Sequence, residues 1–300
     1  MRILVVGGTR FIGVRVVHRL AALGHEVTVF HRGEHRSPLP KSVRVIADRR
    51  AAVPVLDYPR EVVALSPEVV IHMIAMGRHD AAAARQAFAN VAQRIVMISS
   101  GDVYRAYGYF HKTEPPPAEP TPLKETSPLR QVLFPYKKAD TRPEQLEYFY
   151  DKILAEQEIS ADPALPATIL RLPKVYGPGD NEDLATVYGF RTKPNWRWTH
   201  GHVDNVAAAI LLGATHERAR KRTFNVGEEH TPTMAERLAY LPARAEAPLI
   251  AGDDRFEQNI DYDTSRIREE LGFREELSER IAMQTVVREF LAKRSTISSG

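Results

Sequence analysis

Three glycines near the start of the chain carry its plainest chemical signal. Gly7, Gly8 and Gly13 fall in the run Val6-Gly7-Gly8-Thr9-Arg10-Phe11-Ile12-Gly13, directly after an apolar stretch and directly before an amphipathic one. Glycines at this spacing, between a strand and a helix, are the context that binds a dinucleotide. Gly7 permits the tight turn and Gly13 lets the helix pack close to the strand. The helix N-terminus then offers N–H groups and the positive end of its dipole to a pyrophosphate. Thr9, Arg10, Phe11 and Ile12 complete the turn and are read with it as cofactor-binding.

The end of the second apolar stretch bears on which dinucleotide. A carboxylate there would bind the adenosine ribose hydroxyls, but the chain reads Phe30-His31-Arg32-Gly33. Arg32, with His31 beside it and Arg10 in the glycine turn, suits a 2′-phosphate. NADP(H) is therefore favoured over NAD(H). Asp48 is placed to accept a hydrogen bond from the adenine amino group. His111, His200 and His202 do not form a metal-binding pattern, and no HExxH motif is present, so no metal is expected.

These residues need a scaffold, and hydrophobic periodicity supplies one. Ile3–Val6, Glu26–Phe30, Val43–Ala47, Val69–Ile74, Arg94–Ser99 and Thr168–Leu172 read as buried strands. Phe11–Leu23 reads as a helix with Ile12, Val16, Val17 and Leu20 inward and Gly24 as its stop. Asp80 to Gln93 reads as a short helix, and 143–159 as a longer one. Strands alternating with helices imply an α/β, Rossmann-type doubly wound parallel sheet. Glu114-Pro-Pro-Pro-Ala-Glu-Pro-Thr-Pro cannot be helix or central strand and is expected to be an extended surface loop. Leu277–Lys293 is an amphipathic closing helix, followed by a loose tail, Ser295–Gly300. The expected division is a dinucleotide-binding domain over 1–165, with a proline-rich insertion at 105–142, and a smaller C-terminal α/β substrate-binding region over 166–300, partly interleaved with it.

Bulk properties narrow the function classes. The hydrophobic share of 43% and charged share of 26% are those of a soluble globular protein. No stretch is long and apolar enough to span a membrane, and Gly7-Gly8 interrupts the first apolar run too early for a signal peptide. The absence of cysteine removes disulfides, thiol nucleophiles and Cys-ligated zinc. It fits a cytoplasmic location. A net charge of +3 is too small and too dispersed to point to nucleic acid, and a small-molecule substrate is expected.

Six ordered segments resemble the extended short-chain dehydrogenases/reductases, the NAD-dependent epimerase/dehydratase family. The glycine turn is similar to the family's GxxGxxG. Ile71-His72-Met73-Ile74-Ala75 resembles its fourth strand, and Ser99-Ser100-Gly101-Asp102-Val103-Tyr104 its SSxxVYG segment. Tyr148-Phe149-Tyr150-Asp151-Lys152 matches YxxxK. Leu170-Arg171-Leu172-Pro173-Lys174-Val175-Tyr176-Gly177-Pro178-Gly179 is similar to LRPxNVYGPG. His202-Val203-Asp204-Asn205-Val206 resembles HVDDV. Together they cover nearly the whole chain.

The resemblance implies roles at the matching positions. Tyr148 would be the general acid/base during hydride transfer. Lys152 would lower the tyrosine pKa and hold the nicotinamide ribose, both residues lying on one helix face at i and i+4. Among the eleven tyrosines, Tyr148 alone has lysine four positions on. Ser100 would bond the same substrate oxygen. Ala75, Pro173 and Val175 would line the cofactor site. Arg191, Trp196 and His202 lie where the family builds its substrate region. Asp102 is read first as a turn or helix-start residue, and joins them as a candidate substrate contact. It stands alone where the family's dehydratases carry two consecutive acids, so elimination is not favoured.

The sequence also departs from the family pattern. Arg10 stands at the middle glycine, Lys174 at the usual Asn, and Asp204-Asn205 replaces two aspartates. The gap between Ser100 and Tyr148 is wider than the family's, and the proline-rich loop accounts for the excess. That loop reads either as a lid over the pocket or as a passive insertion. The expectation is an NAD(P)-dependent oxidoreductase or epimerase acting on a sugar nucleotide or related hydroxy/keto compound, with a homodimer suggested by family analogy. The alternative is an RNA-associated or NADP-sensing binding protein of the same fold without turnover.

Overall fold

The structure, a computed structural model, describes residues 1–33, 38–48 and 54–298. Its first half alternates strand and helix. The order is β1 (Arg2–Val6), α1 (Phe11–Ala22), β2 (Glu26–His31), β3 (Arg44–Ala47), α2 (Arg60–Val63), β4 (Val69–His72), α3 (Arg78–Phe88) and β5 (Arg94–Ser100). The chain continues through α4 (Arg105–Phe110), α5 (Leu146–Phe149), α6 (Lys152–Ile159), β6 (Ala167–Leu172), β7 (Lys174–Tyr176), α7 (Ala185–Tyr188) and β8 (His200–His202). It ends with α8 (Val203–Thr215), β9 (Arg222–Asn225), α9 (Met234–Tyr240), α10 (Ser265–Leu271) and α11 (Glu279–Ser298).

Seven strands form one parallel sheet in the order β3-β2-β1-β4-β5-β6-β9, and β7 pairs with β8 in a second, two-stranded sheet. The chain starts mid-sheet, winds outward to β3, then returns past β1 to β4. That reversal opens a crevice at the C-terminal ends of β1 and β4, the place where open α/β sheets take ligands. Strands buried on both faces explain the near-continuous apolar runs. In β1, Ile3 and Val5 join one core while Leu4 and Val6 join the other. The inward face of α1 is Gly13, Val16, Val17 and Leu20, with Ile12 only partly buried, and Gly24 (φ +76°) ends the helix as a left-handed residue. A third core, rich in aromatic residues, holds the C-terminal region together around Trp196, Phe190, Tyr188 and Tyr262. β6 and β9, both beyond residue 166, belong to the main sheet, and α8 packs against α1. Among the described residues no helix is long and apolar enough to cross a membrane.

Three expected elements are drawn differently. The single helix over 143–159 is two pieces, because Tyr150 (ψ 116°) and Asp151 (φ −158°, ψ 107°) are extended. Asp151 breaks the helix because it serves as an N-cap, one carboxylate oxygen accepting from the Leu154 N–H at 3.1 Å. Its other oxygen accepts from the Phe134 N–H at 2.6 Å. The expected tail is helix as far as Ser298, with 299–300 outside the described residues. The insertion over 105–142 is loop at 114–122, as expected, but is more than loop around it. It opens with α4, buries Leu123 and Arg130, and bonds along 261–263 through Leu123.

Candidate active site

The glycine turn is built as its spacing demands. Gly7 and Gly8 have φ +94° and +90°, conformations that side chains resist. A Cβ on Gly13 would lie 2.5 Å from Gly8 Cα, so only glycine lets α1 approach β1 this closely. The first turn of α1 contains no acidic residue, which leaves the positive end of its dipole available to an anion. Across the turn, Arg15 donates to the Pro178 carbonyl at 3.0 Å and pairs with Asp204 at 3.1 Å, bringing the Gly177-Pro178-Gly179 segment over Phe11.

The ends of β2 and β3 lie side by side. The Asp48 N–H donates to the His31 carbonyl at 3.0 Å, and His31 Nδ1 accepts from the Gly33 N–H at 2.9 Å. His31, Arg32 and Asp48 therefore share the sheet edge next to the glycine turn, where the adenosine half of a dinucleotide would lie. This cradle fits such a cofactor.

Two strands along, β5 ends at Ser100, paired with Leu172 of β6. Pro173 follows immediately, and Val175 lies in β7 against Gly201. After Ser100 the chain makes a tight 3-10 turn over Gly101–Val103, with the Asp102 N–H donating to Ser100 Oγ at 3.3 Å. Asp102 is 4% exposed, and its Oδ2 accepts from two phenols, Tyr150 at 2.9 Å and Tyr136 at 2.8 Å. The Ser100 hydroxyl, bonded to the same Asp102, favours the ionised form of Tyr150.

Lys152 lies beneath this group as the first residue of α6. Its ammonium donates to the Ala75 carbonyl at 2.5 Å and the Ile98 carbonyl at 3.0 Å, with the Met76 sulfur at 3.8 Å. It stands 5.7 Å from the Tyr150 ring centroid. Burial pushes the lysine pKa down, opposed by the charges of Asp80, Asp102 and Glu156. Asp80 fixes the neighbouring loop by accepting from the N–H groups of Met76, Gly77 and Ala81 at 2.6, 2.9 and 2.9 Å. Ser100, Tyr150, Lys152 and Ala75 thus converge at the C-terminal edge of β4 and β5.

Tyr148 lies elsewhere. The break at Tyr150 and Asp151 puts it on a different helix from Lys152, so the two do not share a helix face. Its half-buried ring packs against the Lys137 ammonium at 3.7 Å. The tyrosine brought to Ser100 is Tyr150, and the pattern could have shown it. Asp151 directly before Lys152 is an N-cap signal that shifts the helix start.

Three expected substrate contacts serve the fold instead. Arg191 spends its guanidinium on the carbonyls of Tyr188 and Ala247 at 3.0 and 2.8 Å. Trp196 is 3% exposed, stacks on Phe110 and donates to the Gln258 carbonyl at 2.8 Å. His202 is buried and caps α8 through the Asp204 N–H. Asp102 alone of that group stands at the site. Tyr136 was not anticipated, since its isolated position in the proline-rich segment carries no periodicity or motif. Among the described residues no group of three or more His, Asp or Glu side chains could hold a metal ion.

The sequence profile of the NAD dependent epimerase/dehydratase family matches residues 3–227. The chain belongs to this family. That family is the setting for the site just described. A 2′-dehydrokanamycin reductase from Streptomyces kanamyceticus is 30% identical over 247 residues, an alignment that takes in 77% of this chain but only 62% of that protein. Among solved structures, the Bordetella bronchiseptica enzyme WbmG in complex with NAD superposes with TM-score 0.70 at 18% identity, covering 98% of this chain and 94% of the other. UDP-glucose 4-epimerase from Thermotoga maritima with UDP-glucose gives the same TM-score and identity, with coverage of 98% and 99%. Both share the epimerase/dehydratase fold.

Proposed function

We propose that the chain is an NAD(P)-dependent oxidoreductase or epimerase acting on a carbinol or keto carbon of a sugar nucleotide or related sugar. In this reading Ser100 and Tyr150 bond the reacting oxygen. The observation that carries it is that Ser100 and Tyr150 both bond Asp102 at the end of β5, the Ser100 hydroxyl through the Asp102 N–H and the Tyr150 phenol through its carboxylate, above Lys152 and in line with the glycine turn at the end of β1. A bound nicotinamide would supply or remove the hydride. The chain's own share is the proton: Tyr150 gives it to, or takes it from, the substrate oxygen while Ser100 holds that oxygen in place.

Lys152 suits the nicotinamide ribose. Two of its N–H donors are anchored on carbonyls, and the third faces only a thioether. Gly7, Gly8 and Gly13 with the start of α1 suit the pyrophosphate, and Arg10 and Arg32 suit a 2′-phosphate, favouring NADP(H). Pro173 and Val175 would line the nicotinamide face. The reductase relative and the UDP-glucose-bound epimerase support a sugar as substrate.

The test begins with nicotinamide fluorescence titrations of NADPH and NADH. A panel of keto sugars with reduced cofactor, and UDP-hexoses with oxidised cofactor, follows for the wild type, Tyr150→Phe and Tyr148→Phe. Turnover lost in Tyr150→Phe and kept in Tyr148→Phe supports the reading. Turnover that survives Tyr150→Phe overturns it.

A further inference from the structure

Asp102 gives the Tyr150 phenol an unusual setting. The Tyr136 and Tyr150 hydroxyls meet on one carboxylate oxygen, at 2.8 and 2.9 Å, with their ring centroids 5.2 Å apart. Tyr107 and Tyr262, whose hydroxyls are 3.3 Å apart, face the same carboxylate. Two cations lie nearby. Lys152 is committed to the Ala75 and Ile98 carbonyls, and Arg130 donates to the Asp102 backbone carbonyl and stands 3.8 Å from Asp151. Among the described residues no cation is bonded to the Tyr150 oxygen; a carboxylate is.

We propose that Asp102 and Tyr136 hold Tyr150 in its protonated form and resupply its proton from solvent, so that this site works in the direction of carbonyl reduction. The inference rests on Tyr150 being the acid/base residue proposed above.

The electrostatics follow from the geometry. An anion bonded to a phenol favours the neutral form, and burial does the same. Both push the Tyr150 pKa up, with the Ser100 hydrogen bond opposing. Tyr136 is raised by the same two causes, with Arg130 opposing. A phenol that stays protonated is a ready acid and a poor base. An epimerase needs the base first, to oxidise its substrate, whereas a reductase needs only the acid.

The step balances. The substrate carbonyl carbon receives a hydride from the reduced nicotinamide, and its oxygen receives the Tyr150 proton. The C=O becomes H–C–OH, and the cofactor leaves oxidised. Tyr150 is left anionic beside Asp102, an unfavourable pairing that draws a proton inward. Asp102 hands on the Tyr136 proton, and Tyr136 takes another from water. Tyr136 is placed for this at the outer side of the group, a part-exposed residue whose hydroxyl bonds a carboxylate that is 4% exposed.

The test reads the phenol without any substrate. Protein carrying 13C at the tyrosine ζ carbon is titrated by NMR, with the Tyr150 signal assigned from Tyr150→Phe. In the wild type, Tyr150 is expected to remain a phenol beyond the ordinary ionisation near pH about 10. In Asp102→Asn its ionisation is expected to fall by about one pH unit or more, since one unit corresponds to the loss of about a tenfold bias. Ionisation of wild-type Tyr150 at or below the ordinary value overturns the proposal, even if Asp102→Asn fails to fold.

The relay is read separately in Tyr136→Phe. A solvent isotope effect on reduction larger than in the wild type is expected, and an unchanged effect overturns the resupply route. Because the titration needs no turnover, its failure is distinguishable from a failure of the activity reading, which Tyr150→Phe decides.

Discussion

Arg171 in β6 grips Glu156 in α6 with both ends of its guanidinium, Nε to Oε1 at 3.0 Å and NH2 to Oε2 at 2.7 Å. Ser99 adds a third bond, donating to the same Glu156 Oε1 at 2.5 Å. The pair is 5% and 8% exposed at the side chains, and it fastens the helix that begins with Lys152 to the strand beside Ser100. Removing one partner strands a buried charge. Arg171→Leu is expected to cost about 3–5 kcal/mol, seen as a lower urea midpoint with an unchanged slope. The double variant Arg171→Leu/Glu156→Leu should recover most of that loss.

Substitution of the two neighbouring tyrosines separates their roles. Tyr150→Phe should lower kcat by about 100-fold or more, the usual scale for a lost general acid. Tyr148→Phe should stay close to the wild type, because its ring meets the Lys137 ammonium rather than the site. Steady-state rates with a turned-over keto sugar, alongside cofactor titrations showing intact binding, check both.

Cofactor choice is testable at one side chain. Arg32→Ala should weaken NADPH binding by about tenfold, roughly the worth of one charge-assisted contact, and leave NADH nearly unaffected. Equal weakening of both would remove the preference for a 2′-phosphate. Gly13→Ala should abolish binding of both, because its Cβ would collide with Gly8 Cα at 2.5 Å.

His72 makes stability depend on pH. It is fully buried, its Nε2 lies 3.1 Å from the Tyr58 hydroxyl, and burial with the nearby Lys152 charge holds its pKa down to about 3. Below its ordinary value of about 6.5 the unfolded chain takes up a proton that the folded chain refuses. The stabilisation from neutral His72 is therefore complete above about 6.5 and drains away as pH falls towards about 3. Urea midpoints at pH 7 and pH 5 should fall in the wild type and fall less in His72→Gln.

Much of this architecture was legible before the structure. The alternation of apolar strands with the α1 pattern specified the doubly wound sheet, because strands buried on both faces leave continuous hydrophobic runs. The glycine turn was legible because its spacing answers a steric demand, seen in Gly13 against Gly8. Lys152 and Ser100 were found through family motifs and do converge.

The placement of Tyr150 beside Asp102 was not legible because YxxxK reads as one helix, while Asp151 uses its side chain to start a new one. Tyr136 was illegible for a different reason. It reaches Asp102 by a tertiary path through segment 112–142, and nothing local in the sequence encodes that closure. The carbonyl partners of Arg191 and Trp196 were not legible, because a side chain that serves backbone carbonyls reads the same, in sequence, as one that serves a ligand.

The N-cap at Asp151 has a consequence for how this scaffold can change. A helix that restarts at residue 152 takes its phase from its own N-cap rather than from the chain before it, so Lys152 can stay beneath Tyr150 when the preceding segment grows or shrinks. The stretch between α4 and α5 can therefore vary in length only where it keeps Leu123 and Arg130 buried and Tyr136 on Asp102. Insertions placed in its exposed turns, with the Phe134 N–H contact to Asp151 retained, would leave the Lys152 bonds to the Ala75 and Ile98 carbonyls in place.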